Sequence, residues 1–322
     1  MKAIQIKEFG GPEVLQIEEV PLPEPGEGQV RVKIEAIGVN FADTGVRKGA
    51  RPLSLPVIPG TEAAGVVDAV GPGATGFSIG DRVVYCMQMG AYAEYAVVST
   101  DKLAHVPEGV DLFDAAGVFS MGITAHYLTE SAYPIQQGDI VLIHAAAGGV
   151  GLLLVQRAKQ RGATVIGTTS TQEKADVALG LGADHMILYT EVDFAEEVKR
   201  ITNDQGVHVV YDSVGKTTFE KSLPLLRRFG TMILFGRSGG PVEPIDPGVL
   251  NQNGSLYLTS PSLYHYAGPK ELFSPRAKDV LGWLKTGEVK VHVDRVLKLD
   301  EAPEAHRMLA ERKNIGKVLL QP

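Results

Sequence analysis

Short apolar runs alternate with helix-length segments between residues 123 and 263, and no other feature of the sequence limits the possible fold as strongly. The segments between the runs carry apolar residues three and four positions apart, as Phe194, Val198 and Ile201 do, which is typical of amphipathic helices. Continuous apolar runs in such an alternation predict parallel strands buried on both faces of a sheet. Six runs have this character: 140–143, 165–166, 186–188, 207–211, 232–235 and 256–258.

The residues on either side have a different pattern. Residues 1–122 are rich in glycine, proline and short alternating runs such as 30–36, which indicate half-buried strands. The chain after residue 263 is mixed again, with a predicted helix at 277–285. A doubly wound sheet of six strands is complete by residue 258, so we predict that 264–322 packs back onto 1–122. The predicted fold class is α/β, with the doubly wound domain, 123–263, inserted into a mostly β domain.

Composition excludes several classes of protein. The 322 residues include one cysteine, Cys86. This excludes an intramolecular disulfide framework, a structural zinc site with three or four cysteine ligands, and an iron–sulfur cluster held by the cysteines of one chain. The formal net charge is −7 and the basic residues form no long run, so nucleic acid is not an expected partner. The most apolar segment, 140–155, is too short to span a membrane and contains His144 and three glycines. We expect a cytoplasmic protein without membrane association.

A glycine-rich turn joins the first strand of the doubly wound unit to its first helix. The three positions of the dinucleotide-binding pattern GxGxxG hold Ala146, Gly148 and Gly151. Gly148 lets the backbone approach a pyrophosphate at the helix N-terminus, and Gly151 lets the helix pack close to the strand. The alternative is a tight turn without a ligand, but several βα units follow in order, which is the context that the motif requires. We interpret the turn as a dinucleotide site.

The end of the second strand predicts which dinucleotide binds. NAD-binding units place an Asp or Glu there to bond the ribose 2′-hydroxyl. Here 167–171 holds only glycine, threonine and serine, and the first acid is Glu173. Ser170 and Thr171 leave room for a 2′-phosphate, and Lys174 can supply positive charge, although a solvated helix lysine is the alternative for that position. We predict NADPH as the cofactor.

Several segments together resemble the medium-chain dehydrogenase/reductase superfamily. Its zinc-dependent members have a Cys at the position of Asn40 and a His at the position of Thr61, and a structural zinc lobe between the positions of Val83 and Ala93. This chain has neither ligand, and only Cys86 remains where the lobe would be, so the resemblance implies no metal. The sequence is most similar to the zinc-free quinone oxidoreductases related to zeta-crystallin. The similar segments are 10–15, 40–43, 60–65, 144–151, 210–215 and 250–257.

The resemblance implies a GroES-like, mostly β catalytic domain and a Rossmann domain with a doubly wound, parallel, six-stranded sheet. It also implies cofactor contacts. The residues expected at the nicotinamide half are Phe41, Ala42, Thr44, Tyr127, Phe235, Gly236, Pro261, Ser262 and Leu263, and Ser213 is a further cofactor contact. The residues expected at the pyrophosphate are Gly148, Gly149, Val150 and Gly151. The residues expected at the 2′-phosphate end are Ser170, Thr171, Lys174, Tyr189 and Arg312. Arg312 belongs to the returning segment, so the cofactor would bridge both domains unless this residue is an ordinary surface arginine.

Three polar residues, Asn40, Asp43 and Thr61, are expected at the reacting end, where they would orient the substrate or the nicotinamide ribose. The alternative is a local turn network, because Asn and Asp at strand ends commonly bond nearby backbone. Family members often carry an aromatic residue shortly after the Asn-Phe-x-Asp run, whereas Gly45 and 49–52 provide none. The size of the substrate therefore stays open.

A quinone is the electron acceptor that the sequence favours. It accepts a hydride with little assistance, whereas an alcohol needs an oxygen-polarising group that the sequence lacks. We predict an NADPH-dependent quinone oxidoreductase that transfers a hydride, or single electrons, without a metal. One alternative is an enone or enoyl-thioester reductase, which requires a positioned proton donor. The other is a nucleotide-binding crystallin or RNA-binding relative with little turnover. An apolar edge strand at 254–258 predicts a homodimer.

Overall fold

The structure, a computed structural model, describes residues 1–50 and 52–322. Arg51, which belongs to the segment 49–52 discussed above, lies outside the described residues. The chain divides into two compact units. The first unit is Met1–Ile123 with Ala267–Pro322, and the second unit is Thr124–Tyr266. Of the helices in the described ranges, none combines the length and the apolar character needed to cross a bilayer.

Strands and helices alternate along most of the chain. The strands are β1 (Lys2–Gln5), β2 (Gln16–Glu19), β3 (Gln29–Val39), β4 (Glu62–Val70), β5 (Arg82–Cys86), β6 (Tyr95–Ser99), β7 (Leu103–His105), β8 (Ile140–Ile143), β9 (Thr164–Thr169), β10 (His185–Leu188), β11 (Val207–Asp212), β12 (Leu226–Leu234), β13 (Tyr257–Thr259), β14 (Val293–Lys298) and β15 (Lys317–Gln321). The helices are α1 (Phe41–Arg47), α2 (Leu112–Tyr127), α3 (Gly149–Gln160), α4 (Gln172–Gly180), α5 (Phe194–Thr202), α6 (Phe219–Ser222), α7 (Gly248–Gln252), α8 (Leu263–Ala267), α9 (Lys270–Thr286) and α10 (Ala302–Ala310).

Strand β3 is central to the main sheet of the first unit. It pairs antiparallel with β15, β4 and β6, and the main path of the sheet is β14–β15–β3–β4–β5–β7. Val30, Val32 and Ile34 are buried in a hydrophobic core, whereas Lys33 between them is exposed. This is the half-buried strand that the alternation at 30–36 predicts. Strand β14 pairs parallel with β15, so the C-terminal strands extend the same sheet.

The second unit has the predicted parallel sheet. In this part of the chain, which is described throughout, six parallel strands follow the order β10–β9–β8–β11–β12–β13. The chain winds outward from β8 to β10 and then returns to β11 on the other side of β8, as a doubly wound sheet requires. The predicted α/β fold class, with a mostly β part and a doubly wound part, is confirmed. Ligands of such sheets bind at the carboxyl ends of the strands where the winding reverses, here β8 and β11.

Two elements begin earlier than the sequence pattern indicates. The apolar run 232–235 covers only the end of β12. The strand starts at the buried Leu226, but the next three residues, 227–229, are exposed and interrupt any apolar run. Helix α9 starts at Lys270 rather than at residue 277, and Pro275 lies inside it. Proline removes one helical hydrogen bond, but the buried Phe273 and Ala277 on either side hold the helix against the core.

Candidate functional site

The glycine-rich turn connects β8 to α3. Gly148 is the N-cap of α3 with extended backbone, and none of the described side chains caps the helix there. The first N–H groups of α3 are therefore available to an external acceptor, and the helix dipole favours an anion. A Cβ at Gly151 would lie 2.3 Å from the carbonyl oxygen of Ala145, so only glycine allows α3 to start this close to the turn. Gly149 and Val150 complete the first turn of the helix.

Four polar residues lie beyond the carboxyl ends of β9 and β10. Thr171 is the N-cap of α4, where its hydroxyl oxygen accepts a hydrogen bond from the N–H of Lys174 at 3.4 Å. Ser170 precedes it, and Tyr189 follows β10 with an exposed side chain. No acidic residue follows β9 before Glu173. This edge of the sheet therefore offers hydroxyls and one ammonium to an anionic group.

The ends of β11 and β12 are joined by backbone contacts. The N–H of Phe235 donates to the carbonyl oxygen of Asp212 at 2.9 Å. A Cβ at Gly236 would lie 2.7 Å from the carbonyl oxygen of Ser213, so the two strand ends approach closely at this glycine. The structure thus brings Ser213, Phe235 and Gly236 together. The segment Pro261, Ser262 and Leu263 follows β13, the next strand of the same sheet.

Other predicted contact residues differ in exposure. Tyr127 is buried and stacks on Tyr266, with ring centroids 4.6 Å apart. Phe41 is exposed at the start of α1, whereas Thr44 is buried and its hydroxyl donates to the carbonyl oxygen of Phe41 at 2.7 Å. Ala42 is exposed in the same helix. Arg312 follows α10 in the first unit, with a left-handed backbone at φ 56°.

A buried histidine ties the strand ends of the second unit together. The hydroxyl of Ser222 donates to the carbonyl oxygen of Thr218, so it accepts from Nε2–H of His144 at 2.8 Å. Nδ1 of His144 then accepts from the hydroxyl of Thr168 at 3.0 Å. Burial lowers the pKa of His144, so the imidazole is neutral. The residue holds β8, β9 and α6 in place.

In the first unit, Asn40 and Asp43 meet at the start of α1. Asn40 is the N-cap residue of α1, and Asp43 is the third residue of the helix. The carboxylate of Asp43 accepts a hydrogen bond from the backbone N–H of Asn40 at 2.9 Å, as the third residue of a capping box does. Asp43 itself is completely buried, whereas Asn40 is half-buried. The contact of Asp43 with the Asn40 backbone is the local turn contact considered above, whereas the side chain of Asn40 makes its contacts outside this turn.

Asp43 also belongs to a buried chain of three side chains. The hydroxyl of Tyr92 donates to Oδ2 of Asp43 at 3.0 Å and lies 3.0 Å from Nε2 of His306. Among the described residues, Oδ1 of Asp43 has no hydrogen-bond partner. Burial raises the pKa of Asp43 to about 6. Burial, and then the charge of the buried Arg47, lower the pKa of His306 to about 3.

The side chain of Asn40 lies between two buried charges. Its Oδ1 accepts from Nζ of Lys317 at 2.8 Å, and its Nδ2 donates to Oε2 of Glu62 at 2.9 Å. Thr61 immediately precedes β4, whose start pairs with the end of β3, so Thr61 and Asn40 occupy neighbouring strand ends. Asn40, Asp43 and Thr61 therefore share one region of the first unit.

Sequence reasoning missed the buried partners of these residues: Glu62, Tyr92, His306 and Lys317. A signal existed for two of them, because Glu62 and Lys317 are charged residues directly before the apolar runs 63–67 and 318–320. Tyr92 and His306 carry no comparable signal. Over the described ranges, no cluster of three or more His, Cys, Asp or Glu side chains is arranged to hold a metal ion. Cys86 is buried, and burial raises the pKa of its thiol.

Two family models match the chain. The model described as "Alcohol dehydrogenase GroES-like domain" matches residues 26–108, and the model described as "Zinc-binding dehydrogenase" matches residues 149–285. Together they match more than half of the chain.

Similar proteins cover the chain from end to end. A quinone oxidoreductase of Pseudomonas aeruginosa is 42% identical over 323 residues, which span 100% of this chain and 99% of that protein. A 2-haloacrylate reductase of a Burkholderia species is 44% identical and covers 99% of this chain and 98% of its own. The crystal structure of the Escherichia coli quinone oxidoreductase complexed with NADPH matches with a TM-score of 0.97 and 42% identity over 100% of both chains.

The buried carboxyl of Asp43 predicts how stability changes with pH. Its pKa is about 6 in the folded chain and roughly 3.9 when unfolded, so its contribution to stability is present below pH 4 and lost as the pH rises through 6. Asp43→Asn removes this titration. We expect the free energy of unfolding of the variant, relative to the unsubstituted chain, to rise by up to about 3 kcal/mol between pH 4 and pH 7 in urea titrations.

His306→Gln is the matched control, because its stability relative to the unsubstituted chain should change with pH in the opposite direction. The folded pKa of His306 is lowered, so its contribution to stability is present above pH 6.5 and lost as the pH falls toward 3. The relative stability of this variant should therefore rise as the pH falls. Equal pH slopes for both variants and the unsubstituted chain would contradict the assignment.

Proposed function

The chain belongs to the quinone oxidoreductase family of the medium-chain dehydrogenase/reductase superfamily, and we propose that it transfers a hydride from NADPH to quinones without zinc. The general activity, that of an NADPH-dependent oxidoreductase, follows from the family. The proposal of zinc-free quinone reduction rests on Asn40 and Thr61, which stand where zinc-dependent members of the superfamily have ligands. Neither an amide nor a threonine hydroxyl is a customary zinc ligand.

The second unit has the features that NADPH requires. The N-terminus of α3, opened by Gly148 and Gly151, suits a pyrophosphate. The end of β9 lacks the acid that would repel a 2′-phosphate, and Thr171 and Lys174 offer a hydroxyl and a charge to it. The bound cofactor supplies a hydride from its nicotinamide ring. The residues of the chain bind and orient it.

Reduction of a quinone by hydride needs little assistance from the protein. Quinone, hydride and one proton give hydroquinone, and both reduced oxygens can exchange protons with water. An activated alkene such as a 2-haloacrylate instead needs a proton placed on carbon. Asp43 and Tyr92 are completely buried, so neither is an evident donor to such a carbon. This difference favours quinones, while the similarity to a 2-haloacrylate reductase keeps activated alkenes as the second candidate.

The proposed activity predicts an order of substrates. Purified protein should oxidise NADPH, followed at 340 nm, with small ortho- and para-quinones and with a kcat/KM at least about 10-fold above that for 2-chloroacrylate or an enoyl thioester. Oxygen consumption separates one-electron from two-electron reduction. No turnover of any quinone would refute the proposal, and faster reduction of the alkenes would move it to the second candidate.

Cofactor selectivity depends on Lys174. Replacing it by Ala removes one charge-assisted contact to the 2′-phosphate, so the KM for NADPH should rise by roughly 10- to 30-fold. The KM for NADH should change less than about twofold. Lys199→Ala, an exposed lysine of α5, is the control. A parallel loss with both cofactors would show that Lys174 has no role in selectivity.

The exposed edge of the parallel sheet in the second unit supports the proposal of a homodimer. Strand β13 ends the order of strands, and its Tyr257 and Leu258 are 62% and 38% exposed. An exposed apolar edge strand can pair with the same strand of a second copy of the chain. Light scattering should give about 69 kDa, twice the 34.4 kDa of one chain, and Tyr257→Asp should shift the mass toward one chain. A monomer at micromolar concentration before substitution would contradict this.

A further inference from the structure

Three neighbouring strand ends place Lys317, Asn40 and Glu62 side by side. Lys317 begins β15, Asn40 directly follows β3, and Glu62 begins β4. Nζ of Lys317 lies 2.7 Å from Oε2 of Glu62 and 2.8 Å from Oδ1 of Asn40. The side chains of Lys317 and Glu62 are 2% and 0% exposed. An ion pair so completely removed from water keeps its geometry, because any rotation leaves a charge without a partner.

The carboxylate of Glu62 is held from its other side as well. Its Oε1 accepts from the backbone N–H of Ser120 at 2.5 Å. A Cβ at Gly38 would lie 2.4 Å from Oε2 of Glu62 and 2.7 Å from the carbonyl oxygen of Ala116. Glycine at position 38 therefore makes the room in which this carboxylate is packed.

The two charges determine which way the amide of Asn40 points. An ammonium only donates hydrogen bonds and a carboxylate only accepts them. Oδ1 of Asn40 must therefore face Lys317, and Nδ2 must face Glu62. The second hydrogen of Nδ2 is directed to the carbonyl oxygen of Gly38 at 3.3 Å. Among the residues that the structure describes, both amide hydrogens of Asn40 have acceptors, and one lone pair of Oδ1 is the group that remains.

We propose that Lys317 and Glu62 are positioning residues that present Asn40 to the bound molecule as a hydrogen-bond acceptor, and not as a donor. This inference rests on the proposed function, which places Asn40 at the reacting end. Asn40 then orients a hydroxyl or an amide N–H and does not polarise the carbonyl oxygen of the quinone. The donor belongs either to the nicotinamide riboside half of the cofactor or to the hydroquinone product, and the two sources have different consequences for binding and turnover.

Three variants test the polarity of Asn40. Asn40→Leu deletes the acceptor. The pair N40D/E62Q keeps an acceptor at position 40 and keeps the summed charge of the three residues. The pair E62Q/K317M removes both buried charges together, so neither is left without a partner. Without these charges the side-chain amide of Asn40 is free to flip, so that its Oδ1 and Nδ2 exchange places. The control R31M/D68N removes an ion pair that also joins β3 to β4, between Arg31 and Asp68.

We expect kcat/KM for a para-quinone to fall about 10-fold in Asn40→Leu and in E62Q/K317M, and to stay within about threefold in N40D/E62Q and in the control. Thermal midpoints identify variants that do not fold. A parallel rise in the Kd for NADPH assigns the donor to the cofactor, whereas an unchanged Kd with a lower kcat assigns it to the product. A folded E62Q/K317M with unchanged kcat/KM would overturn the inference, as would N40D/E62Q being as impaired as Asn40→Leu.

A measurement without substrate separates this inference from the proposed function. In protein with 15N-labelled asparagine, the side-chain amide hydrogens of Asn40 should exchange with water at least about 10-fold more slowly than those of the exposed Asn203. The protection should be lost in E62Q/K317M. Equal exchange at both asparagines would overturn the fixed amide, whereas a protected Asn40 in a chain that reduces no quinone would overturn only the proposed function.

Discussion

The ion pair between Lys317 and Glu62 is the interaction on which the arrangement around Asn40 in the first unit depends. Two charges removed from water are costly, and the cost is offset only where each keeps its hydrogen bonds. Glu62 receives hydrogens from Lys317, Asn40 and the backbone of Ser120, so its carboxylate is almost fully satisfied. A one-residue slip of β15, β3 or β4 would leave one charge buried without a partner. The pair therefore selects one register for three strands, and the position of Asn40 follows from that register.

Buried polar groups elsewhere hold strand and helix ends by a different means. His144 in the second unit and His306 in the first are neutral imidazoles, because burial lowers the pKa of each. His144 joins two hydroxyls, whereas His306 meets the hydroxyl of Tyr92, which also donates to Asp43. The contacts of His144 are all neutral and cost less to bury than charged ones. The network of His306 ends instead in the carboxyl of Asp43, whose pKa is raised to about 6, so its charge changes with pH.

The chemistry proposed for the chain leaves the demanding step to the cofactor. In this proposal the protein holds a pyrophosphate at the start of α3 and a 2′-phosphate near Lys174, and it presents an oriented acceptor at Asn40. Hydride transfer to a quinone asks for proximity and orientation more than for an acid or a metal. A rigid frame of strand ends is suited to that demand, since small displacements of oriented groups cost much of the rate.

Pattern in the sequence was enough to predict the fold class and NADPH as the cofactor. Apolar periodicity and the glycine turn report local structure and burial, which each segment encodes alone, and they indicated the six parallel strands and the N-terminus of α3. The surroundings of Asn40 could not be predicted in this way and are known from the folded chain alone. Lys317 lies 255 positions from Glu62 along the chain, and no periodicity links residues that far apart. Their pairing depends on strand order and register, and on Gly38 leaving room for a carboxylate, which are properties of the assembled sheet.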